Sequence, residues 1–146
     1  MRDLGEVERR VSAWTGISVH AHRFGGKEFR LGRAEVGHIH RNGTVDIPFP
    51  RSIRDALLDE GLADKHHWVP DSGWITYGLR SESQLEHVLW LLRLSYLRYA
   101  LRTAAEPRDL FEQESRQLKL SPRFQSLLEP FMPKSVASMS AEASPV

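Results

Sequence analysis

The chain has 146 residues and a mass of 16.7 kDa, with 40% hydrophobic and 27% charged residues, proportions typical of a soluble globular protein. Twenty lysines and arginines against nineteen aspartates and glutamates leave a formal net charge of +1, which excludes a strong overall attraction to nucleic acid or anionic membranes. Because cysteine is absent, disulfides, thiolate metal sites and cysteine nucleophiles are excluded as well.

The first half of the chain predicts one helix followed by four strands. Apolar residues at helical spacing, from Leu4 to Trp14, predict a short N-terminal helix. Alternation of apolar and polar residues then predicts strands over 17–22, 27–31, 34–40 and 44–49. Since Gly25-Gly26 and Asn42-Gly43 are signals for tight turns, consecutive strands are expected to pair antiparallel.

The second half predicts more helix than strand. Pro50 is expected as the first residue of a helix, and Gly61 as its end. Strands over 65–69 and 74–79 follow, and Ser81 can cap a long helix that runs to about Leu101. A last short helix is expected to begin at Ser121-Pro122, and residues 134–146 have the composition of a disordered tail.

The long helix carries two apolar stripes, of which one is expected to cover the sheet. The second stripe is formed by Trp90, Leu94, Leu97 and Leu101. Cover by the C-terminal segment is the favoured interpretation, and a homodimer through this stripe is the alternative.

These elements predict an α+β fold with an antiparallel sheet of about six strands. The predicted order is a four-strand meander, a helix and two strands, with the helices on one face. We expect a single domain over residues 1–133, with a core at 17–102 and a C-terminal helical segment, 107–131, packed on it. The start of the chain lacks the apolar run of a secretory signal, and no stretch approaches the roughly 20 apolar residues of a membrane span. A cytoplasmic protein with no membrane contact is therefore expected.

The outer face of the sheet, on the side without helices, is expected to be polar. By strand alternation it displays His20, His22, Glu28, Arg30, Asp46 and Trp74. In the third strand, Val36 has the same parity as His38 and His40, and a β-bulge near Gly37 would resolve this conflict.

Histidines on this face are candidates for binding chemistry. Imidazole is the commonest metal ligand, and His20, His22, His38 and His40 could form a nitrogen and oxygen site with a carboxylate. Surface or hydrogen-bonded histidines without a metal are the favoured interpretation. The turn Asp71-Ser72-Gly73-Trp74 could grip a polar ligand, although such a turn also suits a hairpin. The predicted ligand-binding residues are His22, Arg23, Glu28, His38, His40, Asp46, His67, Asp71 and Trp74.

Other motifs point to no particular reaction. No phosphate-binding loop, nucleophile elbow or zinc-binding helix motif occurs, so the residues assign neither a catalytic residue nor a cofactor. Between Arg23 and Arg54 seven basic residues stand against three acidic ones, which is typical of a solvated hairpin surface as well as of phosphate contacts. Nucleic acid is therefore not an expected partner.

Four segments together resemble a known family. The segments 22–29, 37–40, 46–50 and 70–74 resemble those of small luciferase-family, or luciferase domain-containing, proteins of bacteria and fungi, within roughly Val19 to Tyr99. The resemblance implies no established reaction for such short members, and the chain does not resemble the flavin-dependent luciferases, which are α/β barrels. Trp74–Tyr77 and Leu94–Tyr96 are also similar to the end of the YjbR-like double-wing proteins, which implies an α+β fold and DNA binding.

Three functions follow from these features. The first is binding of a small molecule or a protein partner on the His-rich outer face. The second is a metal-assisted enzyme, an oxidoreductase or hydrolase, that uses the same histidines. The third is DNA binding by a double-wing surface, against which the near-neutral charge counts.

Overall fold

A single sheet of six antiparallel strands organises the computed structural model, which describes residues 2–66 and 68–134. The strands are β1 (Ile17–His22), β2 (Gly26–Leu31), β3 (Ala34–Ile39), β4 (Thr44–Pro48), β5 (Asp64–Lys65) and β6 (Trp74–Gly78). The helices are α1 (Arg2–Ser12), α2 (Arg51–Asp59), α3 (Leu85–Thr103), α4 (Pro107–Gln117) and α5 (Pro122–Leu128). The strand order is β1-β2-β3-β4-β6-β5, so the predicted α+β fold, its meander and its antiparallel sheet are confirmed.

The inner face of the sheet packs against α3. Phe29, Ile39, Ile47 and Ile75, one from each of four adjacent strands, have no more than 1% of their surface exposed. The helix comes close at Gly37, where an added Cβ would lie 2.8 Å from Leu92 Cδ2. The buried Ser95 hydroxyl then donates a hydrogen bond of 2.7 Å to the carbonyl oxygen of Val36. This close approach leaves only the other face of the sheet for a ligand.

A β-bulge in β3 explains how its polar residues reach the outer face. Phe29 pairs with Gly37 but Arg30 pairs with Glu35, so Val36 is an extra residue in β3. The bulge predicted near Gly37 is therefore confirmed. Because of it, the side chains of Glu35 and His38 lie on one face although they are three residues apart.

Two predicted boundaries were wrong. The strand expected over 65–69 is only the two-residue edge strand β5, because the chain turns away from the sheet after Lys65. In this turn the backbone N–H of Trp68 donates to Nδ1 of His66, at 3.2 Å, in place of a ladder hydrogen bond. Pro50 precedes α2 as its N-cap and is not its first residue. His67, a predicted site residue, lies outside the described residues.

The chain divides into two compact units, residues 1–99 and 100–146. The second unit holds α4 and α5, and the backbone N–H of Phe124 donates to the hydroxyl of the N-cap Ser121, at 3.4 Å, where a helix start was predicted. From residue 135 on, the predicted tail lies outside the described residues. A single domain over 1–133 and a homodimer through the stripe on α3 stay predictions. Of the helices in the described ranges, none is long and apolar enough to cross a membrane.

Candidate functional site

A cavity of about 360 Å³ opens on the outer face of the sheet. The wall is formed by the end of β1 and the turn after it, the end of β3, the middle of β4, the start of β6 and the segment after β5. Its lining residues are His22, Arg23, Phe24, His38, His40, Asp46, His66, Trp68, Val69 and Trp74. Residues far apart in the sequence therefore meet here because of the strand order.

Asp46 lies at the centre of the polar part of this cavity, with 2% of its surface exposed. Its Oδ2 accepts from Nε2 of His40 at 2.8 Å and lies 3.2 Å from Nε2 of His38. Its Oδ1 accepts from the hydroxyl of Thr76 at 2.7 Å and lies 3.5 Å from Nε2 of His66. Burial alone would raise the pKa of this carboxyl, but the hydrogen bonds from His38, Thr76 and His40 hold the pKa well below its usual range.

His38 lies between two carboxylates. Its Nδ1 is 2.7 Å from Oε2 of Glu35, and its Nε2 faces Asp46. Burial lowers the pKa of His38, but the hydrogen bonds to Asp46 and Glu35 outweigh burial and raise the pKa from 6.5 to about 9. At neutral pH His38 is thus an imidazolium, with a proton on each ring nitrogen and a carboxylate beside each proton.

His22 and His40 each offer a ring nitrogen to the cavity. The ring of His22 stacks on that of His38, with centroids 3.9 Å apart, and its Nδ1 is 3.2 Å from Oε1 of Glu28. Among the described residues, neither Nε2 of His22 nor Nδ1 of His40 has a hydrogen-bond partner. These two nitrogens are therefore available to a ligand.

Glu28 does not line the cavity but contacts His22, which does. It pairs with both His22 and Arg30. Burial would raise the pKa of Glu28, but the hydrogen bonds from Arg30 and His22 lower it overall. The carboxylate therefore stays ionised and fixes the orientation of the His22 ring.

The opening of the cavity, its mouth, is apolar and is formed by Phe24, Trp68 and Val69. Their exposed fractions are 90%, 78% and 45%, respectively. Deeper in the cavity, the ring of Trp74 lies 5.5 Å from that of His38. The cavity thus combines an apolar entrance with a polar interior.

The cavity gathers six of the nine predicted ligand-binding residues: His22, Arg23, His38, His40, Asp46 and Trp74. Their role in binding stays a prediction. Glu28 contacts His22 but does not line the cavity, and neither does the exposed Asp71. His20 was predicted with the other histidines, but its Nε2 bonds to the hydroxyl of Ser18 instead, at 2.8 Å.

Four lining residues were not predicted from the sequence: Phe24, His66, Trp68 and Val69. Three of them belong to the region wrongly predicted as a full strand. Because that segment turns over the outer face, the face is not open at this point, and His38 and Asp46 are buried. The sequence offers no clear signal for this turn, because Pro70 follows the predicted strand and is equally compatible with a strand that ends at Val69.

Three histidines also lie close enough to share a metal ion. One ring nitrogen from each of His22, His38 and His40 lies within 4.8 Å of the others. On two of these rings a carboxylate, Glu28 or Glu35, accepts at Nδ1, which is the usual support of a metal-binding imidazole. This group could hold a divalent transition metal if His38 exchanged its contact with Asp46 for the ion.

Fold and cavity together define an α+β protein with a histidine and aspartate pocket on the free face of an antiparallel sheet. Residues 33–95 match the family model of the luciferase domain, which confirms the predicted resemblance. The match includes His38, His40, Asp46 and Trp74, whereas His22 and Phe24 precede it. No curated protein and no solved structure matches the chain significantly. The similarity to YjbR-like proteins is not shown by these comparisons.

Proposed function

We propose that the chain binds a small organic acid in the His/Asp cavity. The carboxylate would accept hydrogen bonds from the guanidinium of Arg23, beside the rings of His22 and His40. The observation that carries this proposal is the convergence of these groups and an apolar mouth on one cavity of about 360 Å³. Such a combination of apolar walls and few convergent polar groups is typical of small-molecule sites.

The charges around the cavity favour an anion at Arg23 in particular. The imidazolium of His38 is already neutralised by Glu35 and Asp46. Arg23, in contrast, has no ion-pair partner within the described part of the chain. Because the other charges are paired, the guanidinium is the cation that an acid can reach without displacing a carboxylate.

Butyrate is a suitable first probe, followed by NMR of the histidine Cε1–H resonances. We expect saturable shifts for His22 and His40. Arg23→Gln should weaken butyrate binding about tenfold, because a hydrogen bond to a charged group contributes about 1.5 kcal/mol or more. Arg33→Gln is the matched control, since Arg33 is also exposed on a hairpin turn but does not line the cavity. Equal effects of the two variants, or no saturable shift, would refute the proposal.

A metal-assisted enzyme is the second candidate, and the group formed by His22, His38 and His40 favours it. Three protein nitrogens leave coordination positions open for water or substrate, as in catalytic zinc sites. A metal held there would act as a Lewis acid or, for iron or copper, as a redox centre. The chain's own residues would orient the imidazoles through Glu28 and Glu35.

Metal analysis of the purified protein tests this second candidate. Zinc, iron or copper in a ratio of about one per chain is expected, and it should be lost in a His22→Ala/His40→Ala double variant. His20→Ala is the control, because His20 lies on the same strand as His22 but outside the group. Substoichiometric metal, or metal retained by the double variant, would exclude the metal-assisted reaction and leave acid binding unaffected.

A further inference from the structure

Phe24 has a backbone conformation that its side chain does not favour. At φ 56° and ψ 38° it is in the left-handed region, which bulky residues rarely adopt. The hairpin turn that contains it would be satisfied by asparagine or glycine at this position. The ring is 90% exposed, so packing in the protein core does not compensate for the strain.

The exposed hydrophobic side chains lie together. Phe24, Trp68 and Val69 are the large hydrophobic residues that the described part of the chain exposes, and all three line the one cavity. Single exposed hydrophobic residues are ordinary, whereas a cluster around a cavity marks a contact surface. Residue strain and exposed apolar surface therefore coincide at the mouth.

We propose that Phe24 and Trp68 bind the apolar body of the organic acid and thereby determine the specificity of the cavity. This inference rests on the proposed function, because it takes the acid group to be bound by Arg23, which lines the same cavity. The preferred ligand is consequently an acid with an extended apolar body. A bulky residue stands at this left-handed position, where asparagine or glycine would be favoured, because the aromatic ring is required at the mouth.

Octanoate and butyrate test the proposal, since they share a carboxylate and differ by four methylene groups. With these four methylene groups half buried at the mouth, octanoate should bind about tenfold more tightly than butyrate. In Phe24→Ala and in Trp68→Ala this preference should fall about fivefold, because octanoate loses more affinity than butyrate. Phe24→Leu, which keeps an apolar side chain, should retain most of the preference.

A second measurement separates specificity from folding. Phe24→Asn should raise the melting temperature by about 3 °C, because asparagine tolerates the left-handed conformation, and should lose the octanoate preference. Lys119→Asn is the matched control: Lys119 also has a positive φ, 53°, but does not line this cavity. It should gain stability in the same way and keep the octanoate preference.

The outcomes distinguish the inference from the function on which it rests. Equal affinities for octanoate and butyrate would overturn the role of the mouth and leave the acid site intact. Failure of both acids to bind would remove the proposed function as well. If Phe24→Ala changed only the molar mass measured by light scattering, the mouth would be a protein contact and the inference would be wrong.

Discussion

Asp46 joins four side chains from three different parts of the sheet. His38 and His40 lie on or just after β3, Thr76 lies on β6, and His66 follows β5, so one buried carboxylate holds these elements together. A carboxylate with so many donors is difficult to replace, because each of these largely buried donors would lose its acceptor.

We expect Asp46→Asn to lower the free energy of unfolding by about 3 kcal/mol, since removing one partner of a buried charge pair leaves the other uncompensated. Urea unfolding followed by tryptophan fluorescence measures this loss. Asp71→Asn is the control and should change stability by about 0.5 kcal/mol or less, because Asp71 is exposed. Similar small effects in both variants would show that the network around Asp46 contributes little.

His38 makes stability depend on pH on the alkaline side. The titratable groups that face it are Glu35, Asp46, His22 and His40. Its pKa is raised to about 9 in the folded chain, against 6.5 for an ordinary histidine. The stability that its proton supplies is therefore complete below pH 6.5 and is lost as the pH rises towards 9.

With a chelator present, the free energy of unfolding should fall between these two pH values by as much as about 3 kcal/mol. Urea unfolding at a series of pH values gives the slope. In His38→Gln the slope over this interval should be flat. A wild-type curve that is already flat would mean that His38 is not the imidazolium inferred from its two carboxylate contacts.

The bulge and the turn after β5 decide which residues the cavity contains. Sequence alternation predicted the bulge, because Val36 and His38 could not both be placed correctly without one. It did not predict the turn, because Trp68 and Val69 are residue types that are enriched in strands. Whether such a segment pairs depends on its neighbours in the sheet, and β5 has only β6.

Residue 73, directly before β6, must be glycine because the backbone of Phe49, just after β4, approaches it closely. A Cβ there would lie within 1.9 Å of the carbonyl oxygen of Phe49, whose own N–H donates to the Gly73 carbonyl at 3.0 Å. Since the obstacle is backbone, a side chain cannot be accommodated by a rotamer change. The sequence Asp-Ser-Gly explained this glycine as a turn residue and missed its contact.

Gly73→Ala should therefore lower the free energy of unfolding by about 3 kcal/mol or more, within the range of severe backbone effects. Gly5→Ala is the matched control: Gly5 lies in α1 with nothing within 4 Å of an added Cβ. That variant should gain about 0.5–1 kcal/mol from helix propensity. Thermal unfolding of the two variants is sufficient, and a stable Gly73→Ala protein would contradict the contact with Phe49.

The order of the first four strands could be derived from short turns and alternation, because hairpins join neighbours and leave few alternatives. The position of β6 next to β4, with β5 at the edge, was not predicted. The cavity could be derived only in part. His22, His38 and Asp46 followed from the parity of their strands, but the mouth depends on Phe24 and Trp68, which lie in segments without regular pairing. Local patterns carry little information about such segments, since distant contacts determine their course.

The charge of the whole molecule opposes the DNA-binding alternative, and the structure of its basic region adds to this. Of the seven basic residues between Arg23 and Arg54, three have acidic partners: Lys27 with Glu8, Arg30 with Glu28, and Arg54 with Asp55. A protein that binds DNA must instead release several counterions by neutralising phosphates with unpaired cations. With a net charge of +1, we expect no such release.

Fluorescence anisotropy of a labelled duplex of about 20 base pairs should therefore show no binding at about 50 mM salt, where phosphate contacts would be strongest. Glu8→Gln is an informative companion, since it frees Lys27 without touching the cavity. If DNA binding depended on this surface, the variant would bind more tightly than the parent and with a steeper dependence on salt. A salt-sensitive complex already in the parent chain would restore the double-wing interpretation, and its absence in both leaves the cavity as the site to which ligand searches should be directed.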